Sequence, residues 1–92
     1  MRESRNKGNS VVIYRTEYDT EKGVLAEVRE AVFEALKEGR MRWVTFDQGV
    51  PIKLGNIITF VSRASKREVQ AEVLNVVIDK YAYTIRATIR TL

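Results

Sequence analysis

Two rhythms of hydrophobic positions run along this chain, one helical and one alternating, and the change falls at Gly39. From about Glu21 to Glu38, Leu25, Val28, Val32, Ala35 and Leu36 recur three or four residues apart, with Phe33 beside them. That is the apolar stripe of an amphipathic helix. Asp19-Thr20 offers a suitable N-cap, and Gly39 suits the left-handed position just past a helix end. Gly23 in the first turn weakens the start by up to about 1 kcal/mol relative to alanine. Glu27, Glu30, Glu34 and Glu38 occupy the outer side. Like charges at that spacing repel, so the stripe does not serve helix stability, and it makes this face a poor site for nucleic acid.

Elsewhere the pattern has a period near two. Ser10–Arg15 reads as a short first strand, and Met41–Phe46 as a second that ends at Asp47-Gln48-Gly49 and Pro51. Ile57–Arg63 is dominated by β-branched residues. Val69–Val77 and Tyr81–Ile89 alternate apolar with polar positions, the latter setting Tyr81, Tyr83, Ile85, Ala87 and Ile89 against Thr84, Arg86, Thr88 and Arg90. Tyr81 and Tyr83 are accordingly expected in the core. Ala64-Ser65-Lys66 and Asp79-Lys80 mark turns. One segment fits both rhythms: Leu54, Ile57, Ile58, Val61 and Ala64 also satisfy a helical template. Gly55, Asn56 and the Ile-Ile-Thr-Phe-Val run favour a strand.

Ninety-two residues make one small domain. Residues 1–9, polar and basic, are expected to be a flexible arm, and residues 10–92 a single α+β domain. The chain has neither cysteine nor histidine, which excludes zinc fingers, thiol nucleophiles, disulfide scaffolds and histidine-based triads. No glycine-rich phosphate loop and no acidic cluster with metal-ligand spacing is present, so no cofactor, no metal and no catalysis are expected. The longest uncharged run, Leu54–Ser62, is far shorter than the ~20 residues that a bilayer demands. With no signal-like apolar segment after the first charges, a cytoplasmic protein without membrane contact is the expectation.

The net charge of +4 is unevenly spread. Residues 1–38 hold seven Lys/Arg against eight Asp/Glu, whereas residues 39–92 hold nine against four. A basic C-terminal half points to a polyanion partner, RNA or DNA. The candidates are Arg40, Arg42, Trp43, Lys53, Arg63, Lys66, Arg67, Arg86 and Arg90. Arginines present forked donors to phosphate oxygens, and an exposed indole can stack on an unpaired base. Strand alternation sets Arg42 and Trp43 on opposite faces, and a lone Trp in a small domain is usually packed. Trp43 therefore serves a ligand only if it stands at a barrel rim. Arg63, Lys66 and Arg67 bracket a predicted hairpin turn. Arg86 and Arg90 share the outward side of the last strand, either as a phosphate track or as protection of a sheet edge.

Read as strand–helix–strand–strand–strand–strand, the chain resembles the ASCH branch of the PUA-like superfamily. The resemblance lies in Phe33-Glu34-Ala35-Leu36-Lys37-Glu38-Gly39-Arg40-Met41-Arg42 and in Ile52-Lys53-Leu54-Gly55-Asn56-Ile57-Ile58-Thr59-Phe60, followed by Arg67–Val73. It implies one helix packed on a small, mostly antiparallel β-barrel that binds RNA or modified nucleotides. The Lys and Glu of the family's Gly-Lys-Lys-Thr-x-Glu-x-Arg stretch are missing from Gly39–Phe46, which argues against the hydrolytic role of some members; Asn56 replaces the usual Asp. Tyr83–Arg90 is also similar to the last strand of Alba proteins. With 53–66 helical, the order would become Alba's β-α-β-α-β-β, implying a homodimeric DNA/RNA binder. A third expectation, from a different class, is a structural or adaptor protein, such as a viral assembly component, that pairs an exposed strand with a partner and has no nucleic-acid ligand.

Overall fold

A computed structural model describes residues 12–92. The basic arm at residues 1–9 and the start of the first predicted strand lie outside the described residues. Six strands and one helix follow in order: β1 Ile13–Asp19, β2 Gly23–Val28, α1 Glu30–Lys37, β3 Trp43–Asp47, β4 Ile57–Ser62, β5 Glu68–Asp79 and β6 Thr84–Thr91. They form a single sheet of order β1-β2-β4-β5-β6-β3, curled into a half-barrel with β1 and β3 as its edges. Strands account for 54% of the described residues against one eight-residue helix, which makes this a small α+β, barrel-like fold.

The helix expected over residues 21–38 is half strand. Val24, Ala26 and Val28 are buried and alternate with the part-exposed Leu25 and Glu27, so residues 23–28 follow period two. Leu25, Val28 and Val32 satisfied a helical template only because Val28 belongs to both patterns. Asp19 caps no helix. Its Oδ1 accepts hydrogen bonds from the backbone N–H groups of Glu21 (2.7 Å) and Lys22 (3.0 Å), closing the β1–β2 hairpin instead. Those same bonds hold its carboxyl below the usual carboxylate range. Gly23 takes φ +81°, and a Cβ there would stand 3.3 Å from the Ile57 carbonyl oxygen. The left-handed φ favours glycine there, and the close carbonyl leaves little room for a side chain.

The true helix starts after the extended Arg29 and ends as expected. Gly39 adopts φ +75°, its N–H reaches the Leu36 carbonyl (3.0 Å), and the Arg40 N–H reaches Ala35 (2.9 Å). This double bond pattern satisfies the last carbonyls of the helix. The ambiguous segment is strand β4, which leaves the Alba-like order without its second helix. β4 lies parallel to β2 and antiparallel to β5. The other pairs, β1–β2, β5–β6 and β3–β6, are antiparallel.

The concave face of the sheet and one side of α1 enclose the core, where Phe33, Leu36, Ile58 and Phe60 are at most 1% exposed. The last strand begins three residues later than expected. Tyr81 and Tyr83 sit in the β5–β6 turn and are 98% and 70% exposed, a correction to their core assignment. The turn is built by Asp79, whose Oδ1 accepts from the Tyr81 and Ala82 N–H groups (both 3.0 Å), and by Tyr83 in the left-handed region at φ +57°. That kink breaks the alternation before Ile85. β6 is also no edge: it lies between β5 and β3, so Arg86 and Arg90 are not edge protection.

Candidate nucleic-acid interface

β3 joins the sheet only through β6, and it turns Val44 and Phe46 into the core. Alternation then sends Trp43, Thr45 and Asp47 outward. Trp43 is 53% exposed, contrary to the expectation for a lone Trp. Arg86 pairs with Thr45 across the β3–β6 ladder and so lies diagonal to Trp43; its guanidinium stands 5.2 Å from the centre of the indole. Contact of this kind is worth about 0.5–1 kcal/mol at an exposed site.

Trp43 and Thr45 border two hollows. The larger, of about 720 Å³, is bounded by Ala35 of α1, by Val12, and by Arg40, Met41, Arg42 and Val44. The smaller, of about 370 Å³, contains Arg86, Val77, Ile78 and Asp79. Arg40, Arg42 and Trp43 are thus brought together at one hollow. The alternation argument placed Arg42 and Trp43 apart, but Arg42 lies ahead of β3 proper, where the core no longer covers that side. Arg42 and Arg86 have no carboxylate partner among the described residues; Arg40 bonds Glu38 at 2.7 Å, both side chains more than half exposed. Such a pair is worth little and is readily exchanged for another anion.

The remaining candidates divide differently. Arg67 bonds Glu30 (2.7 Å) and Glu34 (2.5 Å), with its guanidinium 4.9 Å from the Phe33 ring centre. Arg63 lies 3.5 Å from Glu27 and 4.2 Å from the Tyr14 ring centre. The basic hairpin is therefore engaged by the glutamates that the sequence had set on a separate, solvated face. Lys66 is exposed at the tip of that hairpin, in the left-handed region at φ +64°. Arg90 bonds Glu72, its partner across the β5–β6 ladder, at 2.5 Å. Lys53 lies exposed in the loop before β4 and lines neither hollow. A further groove of about 320 Å³ separates β1 from β3, but Arg15 at its wall is held by Glu17 and lies 4.0 Å from Glu27.

The one buried polar side chain among the described residues belongs to this hairpin-to-helix junction. Ser62 is wholly buried and donates a short hydrogen bond to Glu30, which also accepts from Ser65 (2.9 Å) and Arg67. Hydrogen bonds from the Ser62 hydroxyl first, then from the Ser65 hydroxyl and the Arg67 guanidinium, hold the Glu30 carboxyl at about 2, against an ordinary 4.5. A carboxylate so depressed is a poor general base, and the cluster reads as a clasp of α1 to the β4–β5 hairpin. Because the folded value lies below the unfolded one, the stabilisation is complete above about pH 4.5 and is lost as pH falls toward 2. Urea unfolding midpoints measured from pH 7 to 2 are expected to fall across that window, and Glu30→Gln is expected to flatten the fall.

No family model, curated protein or solved structure matches this chain. Among the described residues no helix is long and apolar enough to cross a membrane, and no group of three or more carboxylates could hold a metal ion.

Proposed function

We propose that this chain is a non-catalytic nucleic-acid-binding domain that favours RNA over DNA. The reading rests on one observation: the only Trp stands exposed at a sheet edge, with Arg86 on its ring and Arg40 and Arg42 beside it. A core-forming role would have buried the indole. An exposed indole flanked by three arginines matches what nucleic acid offers, a π-face and phosphates. RNA is placed ahead of DNA by the resemblance to ASCH and PUA-like domains. Arg40, Arg42 and Arg86 are the cations that carry this reading; Arg63, Arg67 and Arg90 are engaged by glutamates.

Fluorescence anisotropy with labelled single-stranded RNA, duplex RNA and duplex DNA tests it. Binding is expected to weaken with salt at a log–log slope of about −2 to −4, as for a few phosphate contacts. Arg42→Ala and Arg86→Ala are expected to reduce that slope by about 1 each, while Lys66→Ala leaves it unchanged. Absence of binding to all three at about 50 mM salt, where phosphate contacts are strongest, sinks the reading.

The open edges of β1 and β3 favour a second reading, an assembly or adaptor protein that pairs a strand with its partner. A stable dimer or protein complex without salt-sensitive polyanion binding would point there.

A further inference from the structure

Building on the nucleic-acid reading, we propose that the hollow between β3 and α1 receives an unpaired base of a single strand, stacked on Trp43. Three observations narrow the ligand. Trp43 lines both hollows, but Arg86 lines only the smaller one. The guanidinium stands over the indole ring, and Trp43 also borders the larger hollow, which Arg86 does not line. That hollow has an apolar wall of Val12, Ala35, Met41 and Val44, with Arg40 and Arg42 as its cations. Its volume of about 720 Å³ falls within the range of small-ligand sites, roughly 300–1,000 Å³, and is ample for one nucleotide.

A phosphate bound alone would need a polar cradle, and an apolar floor offers it nothing. A base needs the reverse. In a duplex each base face is covered by its neighbours, so neither the indole nor the apolar wall can be used, and only the arginines remain. The arrangement Arg86–indole–base, with a flanking phosphate at Arg42 and Arg40, uses every element of the site. Occupation costs only the exposed Arg40–Glu38 pair. Stacking is tolerant of base identity, so the site is expected to prefer strand state over sequence.

Trp43 is itself the probe, since no other Trp contributes emission. A twelve-nucleotide single-stranded RNA and the same sequence in a perfect duplex would be titrated against the full chain at one salt concentration. Quenching of Trp43 by the single strand, with at least tenfold tighter binding than to duplex, is expected. Trp43→Ala should weaken single-strand binding by about 5–150-fold, the equivalent of a stacked base, and Trp43→Phe should recover most of it. Because Trp43 is half exposed, both variants should keep the parent's circular dichroism spectrum, with Trp43→Ala melting a few degrees lower for loss of the Arg86 contact. Equal binding of duplex and single strand, unaffected by Trp43→Ala, overturns this inference but leaves the nucleic-acid reading standing. Failure of both oligonucleotides to bind overturns the two together.

Discussion

Replacing Phe60 with alanine is expected to lower the unfolding free energy by about 3–5 kcal/mol, the usual cost of emptying a buried aromatic site. Phe60 is fully buried on β4, a central strand with β2 on one side and β5 on the other. Its ladder partners are Ala26 and Val69. Ala26 has no side chain with which to fill the space, and two hydrogen-bonded neighbours keep the backbone from collapsing inward. The cavity should therefore persist. A domain of this length has roughly 5–14 kcal/mol of stability in all, at about 0.05–0.15 kcal/mol per residue. The change is thus a large share of it and is expected to lower the melting temperature by at least about 12 °C. Differential scanning calorimetry of the variant checks this; a shift of a few degrees would show that the half-barrel is more plastic than its burial indicates.

Phe33→Ala is the second large effect, expected at about 3 kcal/mol. α1 is the only helix among the described residues and meets the sheet through Val32, Phe33 and Leu36. The Phe33 ring lies in the core on one side and near the Arg67 guanidinium on the other. Its removal takes away burial and also the surface on which Arg67 rests while it bonds Glu30 and Glu34. Hydrogen exchange over residues 30–37 is expected to quicken more than exchange in β4 and β5, since the helix is the smaller body and loses its main anchor. Phe33→Leu, which keeps a large apolar side chain, should cost less than half as much. Uniform quickening across the sheet would instead show that helix and sheet open as one unit.

Much of the sheet was legible in the sequence. β4 was legible in the β-branched run Ile57–Arg63, and β5 and most of β6 in the alternation of Val69–Val77 and Tyr81–Ile89, because period two survives wherever one face is buried and the other wet. The C-terminus of α1 at Gly39 was legible too, since few residues accept a left-handed backbone. Its N-terminus was not. Val24, Ala26 and Val28 fit a strand, while Leu25, Val28 and Val32 fit a helix, and an apolar run of that length satisfies both templates. Only the pairing of β2 with β1 and β4 decides between them. Tyr81 and Tyr83 were misplaced because a positive φ at Tyr83, which leaves no mark in the pattern, resets the alternation.

The binding residues divide along the same line. Composition and charge alone established a small domain without thiol or imidazole chemistry, and a basic C-terminal half, because these depend on which residues are present. Which arginines remain open to a ligand depends on where the glutamates come to lie. Arg67 is 33 and 37 residues from its two acidic partners and meets them only because the β4–β5 hairpin folds back against α1. Trp43, for which the sequence left both a packed and a rim position open, stands outside because β3 turns Val44 and Phe46 to the core and Trp43 to the opposite side. Local pattern decides which side of a strand a residue takes. The curl of the sheet decides whether that side meets core, partner or water.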